Sequence, residues 1–190
     1  MTKKKRIYPW VIALLMVIML LVADAVFVFR ELSKSIIIYY VPLYSQKDTN
    51  WCWAYCQLMV EDSRALVIRS EKGADGRAAA IVKESYGDMS TDEMGSPVGA
   101  RDLHLKTKRE LYEALRKYGP LYAEYDRFDK NGERIEGHAI VVTGIDLIGG
   151  YIYTNNPWGV RGRQSFEEFE KSLLSAEDDD WVFMGYYYLE

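Results

Sequence analysis

Cysteine is nearly missing from this chain: there are two in 190 residues, Cys52 and Cys56. They lie within one expected helix, where side-chain directions do not suit a disulfide, so neither is read as a structural bridge. Histidine is as scarce, with only His104 and His138. No Cys-x-x-Cys or His-x-x-x-His spacing occurs, so a zinc site is not expected, and no other cofactor is implied. An excess of positive charge is also lacking. The net charge is −4 and the signs are interspersed except at residues 3–6 and 177–180, so no basic face is offered to nucleic acid. Internal repeats and low-complexity segments are absent too. What the chain does have is a hydrophobic fraction of 49%, enough for one packed domain even after an N-terminal apolar run is set aside.

That run follows Lys3, Lys4, Lys5 and Arg6 and covers residues 10–29, broken only by Asp24. It has roughly the 20 residues that a helix needs to span a bilayer. The basic tip is expected to stay in the cytoplasm, which places everything after Arg30 outside the membrane. The alternative is a cleaved signal peptide and a secreted domain, because Ala23-Asp24-Ala25 has the small-x-small form of a cleavage site after a core of signal-peptide length. Apolar residues 26–29, continuing past that site, favour the anchor. The expected division is a basic tip and anchor over 1–30, a polar linker over 31–35 and a single domain over 36–190.

Within the domain, residues 36–41 are β-branched and aromatic and read as a strand closed by Pro42. Asp48, Thr49 and Asn50 supply N-cap candidates for a helix from Cys52 to about Ala65, with Trp53, Cys56, Met59 and Val60 on one side. A second helix is expected over 77–86 and a loop over 87–101. Thr107 with Glu110 forms a capping-box pattern before Leu111, Leu115 and Tyr118, and Gly119-Pro120 ends that helix. Strands are expected over 121–125, 138–145 and 151–154, with turns at 129–132 and at Gly149-Gly150. Ser165 with Glu168 forms a second capping-box pattern before Phe169, Leu173 and Leu174, and 181–189 reads as a last strand. Helices dominate the first half and strands the second, which suits an α+β domain with a cleft between them.

A thiol at the start of a helix sits at the positive end of the helix dipole, which favours the thiolate that performs nucleophilic attack. Cys52 is therefore the candidate nucleophile. It needs a base, and that base needs an orienting partner. His138, after Gly137 at the start of an expected strand, is the natural base; His104 sits among polar neighbours and reads as solvated. The Gly149-Gly150 turn returns the chain toward His138, making Asn155 and Asn156 both eligible to orient the ring. Gln46, on the loop before Cys52, can donate to an oxyanion without adding a charge.

Taken together, Gln46, then Cys52-Trp53-Ala54 six residues on, Gly137-His138 opening a strand, and Asn156-Pro157-Trp158-Gly159 resemble the papain-like cysteine peptidases. The lead-in from Val41 to Gln46 is most similar to bacterial C39-like members. The resemblance implies a papain-like fold, with Cys52 as nucleophile, His138 as base, Asn156 as orienting residue, Gln46 as oxyanion donor and Trp158 as a cover over the Asn-His pair. It further implies hydrolysis of a peptide or related amide in a peptide or protein substrate, through an acyl-enzyme. Acyl transfer on the same triad and a non-catalytic surface binding module are the alternatives. Cys56 then becomes a packing residue one turn behind Cys52.

Overall fold

The helix that begins at Cys52 packs against one face of a seven-stranded sheet, and this contact positions the candidate site. The computed structural model describes residues 8–67, 71–90, 95, 97, 99–171 and 181–189. These divide into two compact units, residues 1–36 and 37–190.

In the first unit, α1 (Pro9–Ser33) is long and apolar enough to cross a membrane, a property that a signal sequence shares. It runs through most of the expected linker, because Arg30, Glu31 and Leu32 are themselves good helix formers.

The second unit is α+β. After β1 (Ile36–Ile38) come α2 (Cys52–Arg64), α3 (Ala74–Tyr86), β2 (Ala100–Asp102) and α4 (Lys108–Tyr118). Then follow β3 (Leu121–Phe128), β4 (Arg134–Asp146), β5 (Tyr151–Asn156), β6 (Val160–Ser165), α5 (Phe166–Phe169) and β7 (Val182–Leu189). The sheet order is β2-β7-β3-β4-β5-β6, with β1 pairing on β4, and the neighbours along that path run antiparallel. Gly144 is needed where β1 crosses close to β4, since a Cβ there would meet the backbone of Ile37 and Ile38.

Side chains alternate across the sheet and divide the core in two. On one face Tyr122, Ala139, Val141 and Leu189 pack with Trp53, Tyr55, Cys56, Met59 and Val60 of α2 and with Ala74, Ala78 and Val82 of α3. On the other, Leu121, Ala123, Ile140 and Val142 pack with Leu111 and Leu115 of α4 and Phe169 of α5. Both capping boxes are present, at Thr107 with Glu110 and at Ser165 with Glu168. Leu173 and Leu174 lie outside the described residues.

Several expectations are corrected. The N-cap of α2 is Trp51, without a side-chain cap, because the Thr49 hydroxyl donates to Gln46 O instead. The strand expected over 36–41 ends at Ile38, and part of the expected loop is β2, held by the neighbouring β7. His138 lies inside β4, not at its start, since residues 134–137 already pair with β3. Finally, β6 lies where no strand was expected. Its Arg161, Gly162 and Arg163 carry no apolar alternation, and pairing with β5 alone makes it an edge strand.

Candidate active site

The lead-in segment and the β5–β6 hairpin are far apart in sequence but bonded side by side. Asn155 Nδ2 donates to Val41 O at 2.9 Å and to Pro42 O at 3.1 Å, and Gln46 N–H donates to Pro157 O at 2.7 Å. The hairpin turns at Gly159, whose φ of +83° lies in the region that favours glycine. Gln46 is thereby fixed beside the turn that follows Asn156.

The choice between the two asparagines follows from strand alternation: adjacent residues on β5 point to opposite faces. Asn155 holds the lead-in segment. Asn156 faces His138, with Oδ1 2.8 Å from His138 Nε2, and the same oxygen accepts from Trp158 N–H at 2.9 Å. An oxygen that already accepts from a backbone N–H is also the acceptor toward the ring. The hydrogen of the neutral imidazole is thus on Nε2, which leaves Nδ1 as the basic nitrogen. Trp158 stacks on His138 with ring centroids 4.0 Å apart, and Trp181 meets the ring edge-on at 6.0 Å. Only 3% of His138 and 4% of Asn156 are exposed.

Cys52 opens α2, and its sulfur lies 3.9 Å from Gly137 O, donating as a thiol. The N–H groups of Ala139 and Trp53 also point at the sulfur. The thiol therefore meets the β4 backbone on both sides of His138, and its hydrogen bond goes to Gly137 O rather than to the ring. Burial pushes the Cys52 thiol up to about 11, outweighing the N–H groups that favour the thiolate. This corrects the expectation from helix position alone, because the dipole contribution is smaller than the cost of burying an anion. Burial likewise holds His138 down to about 4, opposed by its bond to Asn156. Between those values the resting pair is thiol and neutral imidazole.

Gln46 is nearly buried, and its Nε2 donates to Thr49 O at 2.8 Å. A primary amide carries two N–H bonds, of which Thr49 O takes one, and the Gln46 Oε1 is buried with no hydrogen-bond partner among the described residues. Cys56 is fully buried and packs behind Cys52. His104 is in the open, bonded to Asp102 through both its N–H and its Nδ1, away from this cluster.

Two features escaped sequence reasoning. Trp181, edge-on to His138, could have been sought in the aromatic run that it opens. An acidic pair on β3, Glu124 and Asp126, stands across from Ala139 and Gly137 and is bridged by Arg134 Nη2 at 2.8 and 2.6 Å. Glu124 disfavours the Cys52 thiolate and Arg134 favours it. No local pattern announces this cluster, because strand register alone assembles it. Among the described residues no group of three or more His, Cys, Asp or Glu side chains could hold a metal ion.

A family model described as papain-like cysteine protease AvrRpt2 matches residues 35–174. The span contains Gln46, Cys52, His138, Asn156 and Trp158. It lies within the superfamily that the motifs resemble and does not carry the narrower C39-like likeness. The chain matches no curated protein.

Proposed function

The chain belongs to the papain-like cysteine protease AvrRpt2 family, and from that premise we propose that Cys52, His138 and Asn156 are its triad, with Gln46 as an oxyanion donor. The observation that carries the reading is the His138–Asn156 bond of 2.8 Å, roofed by Trp158 at 4.0 Å, on the β4 segment that the Cys52 sulfur touches.

In the proposed cycle the sulfur attacks the carbonyl carbon of a peptide bond while His138 Nδ1 takes the thiol proton. Attack and proton transfer are coupled, because the resting sulfur is protonated. Asn156 holds the ring through Nε2–H and stabilises the imidazolium as it forms. The second N–H of Gln46 and the Cys52 backbone N–H, one of the N–H groups that a helix start leaves free, meet the oxyanion. The C–N bond then breaks, the amine takes the proton from His138, and a thioester remains on Cys52. Water, deprotonated by His138, adds to the thioester carbonyl carbon. The C–S bond then breaks, the Cys52 sulfur takes the proton back from His138, and the acyl group leaves as a carboxylic acid that ionises in solvent.

The substrate is a peptide or protein. The proposed setting is the cell membrane, with α1 as a single-pass anchor and the domain outside the cytoplasm. The test is mass analysis of the products of a peptide mixture, with and without an added amine. New carboxylate termini that vanish in Cys52→Ala are expected. Amine-capped termini alone would assign acyl transfer, and products unchanged in Cys52→Ala would overturn the reading.

A further inference from the structure

Two cavities in the 37–190 unit share a wall made by Tyr39 and Tyr40. The larger, about 430 Å³, is completed by Ile38, Tyr153 and Arg161 among others; the smaller, about 280 Å³, by Asp62, Ser63, Leu66 and Val67. The ground around them is apolar and open. Ile38 and Tyr40 are each more than half exposed, and Leu66 is 90% exposed. Leu66 follows the end of α2 with a φ of +52°, a conformation that leucine rarely takes. An apolar face of this kind marks an interaction surface.

The chain indicates what meets it. Only four residues separate Ser33, the last of α1, from Ile38, and the five extended steps between them reach at most roughly 18 Å. On the reading of α1 as an anchor, Ile38 cannot leave the vicinity of the bilayer surface. The composition fits that surface: Ile and Leu for the acyl boundary, Tyr40 and Tyr153 with polar tips for the headgroup level, and Arg161 for lipid phosphate. We propose that this face, centred on Ile38, Tyr40 and Leu66, beds into the headgroup region of the membrane that holds α1. The domain then works on substrates at the membrane surface rather than in bulk solution. The inference rests on the anchor reading given above.

The test uses the full chain with Cys52→Ala, in phosphatidylethanolamine and phosphatidylglycerol vesicles that carry a nitroxide lipid near the headgroups. A thiol dye is placed at Leu66→Cys, Ile38→Cys or Lys130→Cys. Cys56 is fully buried and stays unlabelled, and Leu66→Cys alters an exposed side chain, so folding is not at stake. Lys130 stands in the β3–β4 turn, beyond the far end of β4 from Thr143, about 30 Å along the strand. The labels at 66 and 38 are expected to lose most of their emission while the label at 130 keeps it. Vesicle-bound protein with equal emission at 66 and 130 would overturn the docking and leave the anchor standing. A label at 66 shielded from soluble iodide but untouched by the nitroxide lipid would assign the face to a protein partner instead. Protein that washes off the vesicles at alkaline pH would refute the anchor, and the docking with it.

Discussion

Replacing Asn156 with alanine removes the acceptor of the His138 Nε2–H bond, 2.8 Å long and buried at both ends. In the resting enzyme that bond joins neutral groups and is worth about 1 kcal/mol net, whereas once His138 carries the thiol proton it is worth about 1.5–3 kcal/mol. The difference, about 0.5–2 kcal/mol, is felt in the transition state and lowers kcat about 2- to 30-fold. Without Oδ1 the ring can also carry its hydrogen on Nδ1, the wrong tautomer for taking a proton, so the combined loss reaches about 10- to 100-fold. KM should hold, because Asn156 is buried and is not placed to touch substrate. The assay is steady-state hydrolysis of a fluorogenic peptide chosen from the mapped cleavage products. Asn156→Asp keeps an acceptor at the same place and should retain more activity than Asn156→Ala. A variant Asn156→Ala within about twofold of wild-type kcat, or one changed only in KM, would refute the idea that this bond orients the base.

Three further outcomes follow from the same structure. Gln46→Ala should lower kcat about 10²- to 10³-fold while leaving thiol labelling of Cys52 unchanged; equal losses in both would mean a disturbed fold instead. His138 is held at about 4 when folded, below its ordinary 6.5. The stability gained by keeping it neutral is thus fully present above about 6.5 and disappears as pH falls toward about 4, an effect of up to about 3 kcal/mol. The denaturation midpoint of the detergent-solubilised chain should fall over that window and fall less in His138→Gln; identical slopes would contradict the buried neutral ring. Thr107→Ala removes one half of the α4 capping box and should destabilise by about 0.5–2 kcal/mol with kcat intact, as read by denaturation and by the peptide assay.

Local signals were legible in the sequence where one residue type has one structural use. The Thr107 and Ser165 boxes, the Gly119 stop and the Gly149-Gly150 turn all depend on chemistry within a few residues of themselves. Longer-range features were not legible. The strand β6 is charged and exists because β5 presents an edge to it, and β4 begins early because β3 supplies partners for residues 134–137. In the candidate site, the sequence brought forward Cys52, His138, Asn156, Gln46 and Trp158, but only the register of β5 separates Asn156 from Asn155. Helix position favours the Cys52 thiolate while burial favours the thiol, and burial acts through the whole packed environment and leaves no mark on nearby residues.

The central claim is that Cys52 is the nucleophile and His138 its base. Intact-mass measurement of the rate at which a peptidyl electrophile modifies the full chain tests it most directly. The expected result is a single adduct on Cys52 in the wild type and a rate lower by about 10² or more in His138→Ala. An adduct on Cys56, or an unchanged rate in His138→Ala, would contradict it.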